Sequence, residues 1–462
     1  MALLAVLVVM MIVASVAASL IWSMDQQQAR AGNRLRSVAA LAAAEAGMHR
    51  ALAALESTAP AGGRRGRAWR PAAYSEAFQS GPLQGRFTLT LTNEPGGAVS
   101  ITSVGEIAGV TRRVRARVYL ASPSMLAALY GAGLLRLEKA PAQMVITTYG
   151  PSAATQPWVH MAAGGGILFG TTEAAINDPA ARYVAGPGPV DAPGLAGSLS
   201  AQTEPARLVL PRGVDLTTGS EQRRVGAQDL RVMGVRIDPA VVWTDSFPQA
   251  PEVDRDFLQA LAAGHAGNAA LNEAAGQHVG DNALAVKRDS LYTEAQFAQL
   301  QTYLQTRPRA ATLRGVVYVT GPVALAENQH ITIVDGALVT EGTVRLRWGA
   351  SLDIVHSAAS RALPGLVALR QGAAGQGALI VAQSARLRVH GLVHTDGPID
   401  VWEGARIDVV GAIASTSPDL SFRNLGASVV IRYDPAVLGT PGLLVSEDSP
   451  VIAWVASWEE LP

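Results

Sequence analysis

The chain has 462 residues, 49% of them hydrophobic and only 16% charged, so it is long enough for about two to four cored units and is not a highly charged disordered protein. Lys and Arg together number 37, as do Asp and Glu, giving a formal net charge of zero; no global field draws a polyanion, and nucleic acid is not an expected partner. The absence of cysteine removes disulfide frameworks, thiolate zinc sites, iron–sulfur clusters and cysteine nucleophiles in one step.

Residues Ala2 to Trp22 carry no charged side chain, and at 1.5 Å per residue they span about 31 Å, the thickness of a bilayer's hydrocarbon core. From Asp25 to Glu56 there is no proline and only Gly32 and Gly47, while Leu35, Val38, Leu41, Met48, Leu52 and Leu55 recur at helical spacings. The pattern predicts one continuous helix of about 50 residues, half in lipid and half outside. A cleaved secretory signal is the rival, with Ala17 and Ala18 as the small residues such a site needs. Arg30, Arg34 and Arg36 follow the apolar run, which taken literally places the rest of the chain in the cytoplasm; the β-rich body described next argues for the outer side.

Pro60, Pro71, Pro82 and several glycines between Ser57 and Gly85 predict a linker, with Arg64, Arg65, Arg67 and Arg70 beside Trp69 as a basic stretch that is most simply a solvated loop. Phe87, Leu89 and Leu91 then alternate with threonines, Asn93 to Gly97 mark a turn, and Val99 and Ile101 resume the alternation, which reads as a hairpin. A third strand from Arg113 to Leu120 sets three arginines on one face and Val114, Ala116 and Val118 on the other, a face expected to pack on the helix.

From Leu313 onward, short β segments recur between glycines at gaps of about 20 residues, with alternating strands between them such as Leu352 and Ile354, Leu387 and Val389, and Ile407 and Val409. That texture predicts a stacked parallel coil in which no coil buries its inward side chains without its neighbours. A β-sandwich is the rival, kept open by the hairpin dipeptides Asp335-Gly336 and Asp396-Gly397. The expected division is 1–57 helix, 58–122 linker and three-stranded antiparallel sheet, 123–177 first coils, 178–312 insertion or cap, 313–435 further coils and 436–462 tail. Two helices are predicted in the insertion, Glu252 to Ala263 and Thr293 to Thr306, the second capped by Thr293. The fold class is thus mainly β: a long N-terminal membrane helix, a small antiparallel sheet and a right-handed parallel β-helix, or solenoid, with a partly helical insertion.

Parallel coils can carry stacked carboxylates, and Asp396, Asp400 and Asp408 with His390 and His394 form the best such cluster. Asp400 and Asp408 alternate with aliphatic residues as any outward position does, and Gly391 interrupts the two histidines, so neither catalysis nor metal binding is the expected reading. Gly164-Gly165-Gly166 lacks the lysine of a phosphate loop, and no nucleophile elbow is present. Tyr149, Trp158, Trp243, Trp348 and Trp402 are candidates for sugar stacking, with packing as the simpler role. No cofactor or metal is expected.

The apolar start running into QQQARAGNRLRSVAALAAAEAGMHRAL, with Ala43-Ala44-Glu45-Ala46-Gly47 as its most specific piece, resembles the N-terminal segment of PilX-type type IV pilus assembly proteins, which are minor pilin-like components. It departs from that pattern where Ala5 or Val6 stands in place of a glutamate near the start of the helix. Leu313 to Gly411, Tyr433 to Leu438 and the closing Trp454 to Trp458 with Glu459 are similar to the glycine-rich β-helical C-terminal region of some PilX-like chains. The resemblance implies a non-enzymatic filament component in the bacterial inner membrane, single-pass, with its body in the periplasm or on the pilus surface. Other pilin-like subunits and membrane lipid are the implied partners, met through Leu41, Glu45, Gly47 and Met48 on the helix, with a surface or carbohydrate ligand as a further partner class. A minor pseudopilin of type II secretion begins similarly, and a membrane-tethered polysaccharide lyase or glycosidase is the alternative from another class.

Overall fold

The computed structural model describes residues 2–57, 69–80, 83–94, 98–137, 143–148, 159–169, 182–185, 207–211, 216–218, 223–224, 240–244, 247–306, 312–357, 360, 363–370, 377–417, 419–421, 427–444 and 451–461. The chain forms two compact units, one of Met1–Tyr119 with Val455–Pro462 and the other of Leu120–Trp454.

In the first unit a 54-residue helix, α1 (Ala2–Leu55), is followed by four consecutive antiparallel strands, β1 (Tyr74–Ser80), β2 (Leu83–Asn93), β3 (Ala98–Ile107) and β4 (Val110–Ala121). A closing strand, Ile452–Leu461, lies beside β4 and completes a five-stranded sheet. The sheet follows from period-two patterning: Phe87, Leu89 and Leu91 are buried, and on β4 Val114, Ala116 and Val118 are fully buried while Arg113, Arg115 and Arg117 face out. Ala108 and Gly109 both adopt positive φ, as a primed two-residue hairpin turn requires. The arginine face is answered by carboxylates: Glu94 pairs with Arg115 and Arg117 at 3.4 and 3.0 Å, and Glu460 with Arg112 at 3.3 Å. Such exposed pairs contribute under about 1 kcal/mol each and serve mainly to set register.

The sheet has five strands, two more than the sequence suggests. Strand β1 lies inside the stretch expected to be linker, because a weakly apolar edge segment looks like loop in one dimension. The closing strand lies in the expected tail, its partner being far earlier in the chain. The second unit is therefore an insertion between β4 and the last strand of the first unit's sheet. Arg64, Arg65 and Arg67 fall outside the described residues.

In the second unit the strands between Thr312 and Tyr433 pair in parallel, several at offsets of about 20 residues: Thr312 faces Thr332, His330 faces Ser351, and Arg386 faces Arg406, while Ser351 reaches across a longer connection to face Arg386. A second parallel ladder aligns Leu325, Leu346, Val381 and Val401, all buried. No hairpin forms at either dipeptide that kept the sandwich open: Asp335-Gly336 sits inside the strand His330–Glu341, and Asp396-Gly397 at a corner after Arg386–Thr395. Between ladders the corners repeat in register. Three residues beyond the aligned column stand Asn328, Gly349, Ser384 and Gly404, each at φ between 58° and 67°. The left-handed region costs a residue with a Cβ about 1–2 kcal/mol, and glycine's greater freedom in the unfolded chain returns about 0.5–1 kcal/mol of any gain. Ser384→Gly should therefore stabilise the body by about 0.5 kcal/mol, read as a higher midpoint in denaturant unfolding.

Order along the stack departs from order along the chain. Leu129 pairs with Ile413 on one side and Met161 on the other, Leu134 with Asp419, and Gln143 with Ser428. The segment expected to supply the first coils thus abuts the last ones, and the ladder continues outward through Arg207–Pro211 to Ala240–Thr244. The strands Arg182–Ala185, Arg207–Pro211, Leu216–Thr218 and Ala240–Thr244 therefore extend the parallel ladders, and the helical cap lies within residues 247–306. Strand periodicity is local, whereas which coil stacks on which is not.

The cap holds four helices, α2 (Arg255–Ala263), α3 (Ala269–Val279), α4 (Asn282–Ala285) and α5 (Glu294–Thr306). Helix α5 opens on the expected Thr293 cap, whose Oγ1 accepts the Gln296 N–H while Gln296 Oε1 accepts that of Thr293. Its Phe297, Leu300 and Leu304 join the same core as Leu313 and Leu325. The parallel strand Leu291–Thr293 covers the edge of Thr312–Thr320, and Asn268 bonds both the N–H and the carbonyl of Arg314. An edge that would template aggregation is thereby covered.

Candidate functional site

Helix α1 changes character along its length. From Ala40 to Leu55 a stripe of Ala40, Ala43, Ala44, Gly47, Met48, Ala51, Ala54 and Leu55 is buried, spaced at three and four residues. These small side chains let the helix backbone approach the sheet. A Cβ on Gly105 of β3 would strike Ala40 O, Ala44 N and Ala43 Cβ, and one on Gly47 would strike Ser103 and Phe87. Before Ala40 the helix leaves apolar side chains bare: Val13, Val16, Leu20, Ile21, Trp22 and Met24, and farther along Leu35 and Val38 at 63% and 62% exposure. Among the described residues, the helix is long and apolar enough to cross a membrane.

Of the residues singled out on this helix, Gly47 and Met48 lie wholly within the packing against the sheet, and Leu41 and Glu45 are half-buried at its margin. The aliphatic repeat read from the sequence therefore divides in two: Met48 and Leu55 serve the unit's own core, whereas Leu35 and Val38 stand free of it. The alanines that make the buried stripe carry little hydrophobic signal. Their spacing in LAAAEAGMHRALAAL was the available clue.

The carboxylates of the body do not form a stack. Asp400 aligns with Ile380 and Ser421, and Asp408 with Arg388 and Val430, so no ladder brings two of the three together. Asp408 pairs with Arg432 at 2.9 Å, and Asp400 accepts the Trp402 indole N–H at 3.1 Å. Asp396 is a staple between coils: Oδ2 accepts the Arg370 N–H at 2.8 Å, and Oδ1 accepts the Thr416 hydroxyl at 3.3 Å and His394 Nε2 at 3.2 Å. A carboxylate only accepts, so the His394 proton sits on Nε2. Burial works against ionisation of Asp396, but His394, the Arg370 N–H and the Thr416 hydroxyl outweigh it and hold the carboxyl below the usual carboxylate range.

Asp396 also lines a cleft of about 520 Å³ with Tyr130, Phe247, Glu252, Arg255 and Thr416. Its oxygens are committed to the staple, and Tyr130 donates to Pro248 O at 2.7 Å. His390 accepts the His356 N–H on Nδ1 at 3.4 Å, whereas the buried His394 bonds Asp396. Among the described residues no three His, Asp or Glu side chains gather to hold a metal ion. Gly164 to Gly166 form a corner, with Gly164 N–H on Gly131 O and Gly165 N–H on Gly133 O. Tyr149 and Trp158 lie outside the described residues.

No family model matches the chain, and no curated protein does. Among solved structures, the crystal structure of the competence-associated pilin ComZ from Thermus thermophilus is similar over 92% of this chain and 97% of that one, at 15% identity and a TM-score of 0.27. Superposition that loose supports neither a shared fold nor a shared role.

Proposed function

We propose that the chain is a non-enzymatic, pilin-like component of a type IV pilus or related filament, held in the bacterial inner membrane by one pass of α1, with the body outside the cytoplasm. The observation that supports this is the division of α1: its last third is locked into an antiparallel sheet by alanine and glycine, while among the described residues before it the apolar side chains from Met10 to Val38 stand exposed. A rod of that kind stays in lipid or exchanges lipid for equivalent rods, which is what a filament core supplies. PilX-type assembly protein and minor pseudopilin are the two finer readings, separated by whether the native protein is found in a pilus or a secretion filament. The parallel ladders and repeated corners support reading the body as a right-handed β-helix. The bonding of both carboxylate oxygens of Asp396 and of Asp408 supports a structural role for those two residues, and Asp400 accepts the Trp402 indole N–H.

Leu35→Asp with Val38→Asp tests the proposal. Both side chains are exposed, so the variant should keep the circular dichroism and thermal transition of the parent, yet its share of the sheared filament fraction should fall at least about tenfold, since charges in a helix contact surrounded by apolar neighbours cost several kcal/mol. Undiminished incorporation would remove the filament reading. Met48→Asp, by contrast, should unfold the first unit itself.

A further inference from the structure

The corner that follows the second ladder carries two exposed indoles. Trp348 and Trp402 are 51% and 47% exposed, one residue apart in the corner and two coils apart in the stack, with the coil of Val381 between them. Two strand spacings are about 10 Å. Their backbones are fixed by the corner's own bonds: Trp402 N–H to Val381 O at 2.9 Å, and Asn328 N–H to Trp348 O at 3.0 Å. The Trp402 indole is pinned as well, by its N–H on Asp400 Oδ2. Isolated exposed aromatics are ordinary, but two on neighbouring positions of one hydrogen-bonded corner, the first two residues and the second one residue beyond the aligned column, form a platform.

The surroundings select the occupant. Arg345, Arg347, Gln383 and Glu403 are exposed and Asp400 and Ile380 half-exposed, so the platform lacks the continuous apolar centre of a protein interface and offers planar hydrogen-bonding groups around each ring. Within the corner, Arg345 and Arg347 at one end are matched by Asp400 and Glu403 at the other, so the groups between the indoles favour neither sign, while Arg386 and Arg406 lie beyond the turn. In a β-1,4-linked glycan the two-fold screw turns alternate rings over, so rings two apart present the same CH face, one disaccharide length of about 10 Å apart, matching two coil spacings.

We propose that this corner binds a neutral linear β-1,4-linked glycan, with Trp348 and Trp402 stacking on rings i and i+2 and Arg347, Gln383 and Glu403 hydrogen-bonding the equatorial hydroxyls. The site belongs to the second unit alone and stands whether or not the chain enters a filament.

The test is titration of the full chain, in detergent, with cellohexaose and chitohexaose, followed by tryptophan fluorescence and calorimetry. At least one hexasaccharide should bind, with cellobiose, which reaches one indole only, about tenfold weaker or worse; Trp348→Ala and Trp402→Ala should each weaken binding by about tenfold and the double variant should abolish it, all with an unchanged thermal transition. Affinity should be indifferent to sodium chloride. Trp402→Tyr should retain part of the binding, because an aromatic face remains. Failure of both hexasaccharides to bind, binding that survives the double variant, tighter and salt-sensitive binding of polygalacturonate, or a Trp-dependent protein partner in place of the glycan would each overturn the assignment.

Discussion

Gly105→Val is expected to separate α1 from its sheet. The new Cβ would lie against Ala40 O and Ala44 N, backbone atoms of a helix that cannot turn aside, and two further methyls would follow it. Overpacking of this kind costs about 3 kcal/mol. For a unit of this size that lowers the midpoint of thermal unfolding by roughly 10–20 °C, measurable by circular dichroism of the full chain in detergent. Gly32→Ala is the matched control: nothing lies within 4 Å of a Cβ there, and alanine is the better helix former by about 1 kcal/mol, so that variant should be as stable as the parent or more so. If Gly105→Val melted with the parent, the close approach of helix and strand would be wrong.

The second large effect belongs to Asp396. Asp396→Ala leaves the Arg370 N–H, the Thr416 hydroxyl and the buried His394 Nε2 without their acceptor, at a cost of about 3 kcal/mol to the body. The sign of the pH dependence follows from the direction of the shift. The folded state holds this carboxyl below its ordinary value, so its contribution is complete above about pH 4 and is lost as the pH falls through the lower folded value. Asp335 acts in the same direction. The Ser360 hydroxyl and the Ser357 hydroxyl and N–H hold its carboxyl at about 2, so its share disappears only between about pH 4 and pH 2. Asp396→Asn, which cannot ionise, should flatten the acid limb of the stability curve measured by urea unfolding from about pH 6 down to about pH 2; an unchanged limb below about pH 4 would show that the ionised staple contributes nothing.

Asp396 also shows why a cluster read from one dimension misleads. Acidic residues near histidines on successive strands look like a stacked site, but stacking needs equal register, and Asp400 falls opposite Ile380 while Asp408 falls opposite Arg388. Register depends on where each corner turns, and the corners are set by left-handed positions such as Ser384 that composition does not announce. The two indoles were visible as residues; only the ladder places them two coils apart on one corner.

Periodicity alone was enough for the long helix, for β2 to β4 with their valine and arginine faces, for the repeating strands after Leu313 and for two of the cap helices, because each of those patterns is written between residues a few positions apart. The strand partner of Ile452–Leu461, the stacking of Leu129 against Ile413, and the division of the helix stripe into buried Met48 and bare Val38 came only from the tertiary structure. Those depend on contacts between segments far apart in the chain, where closing the loop costs entropy that only the assembled core repays, and no local pattern of side chains records which distant segment supplies the contact.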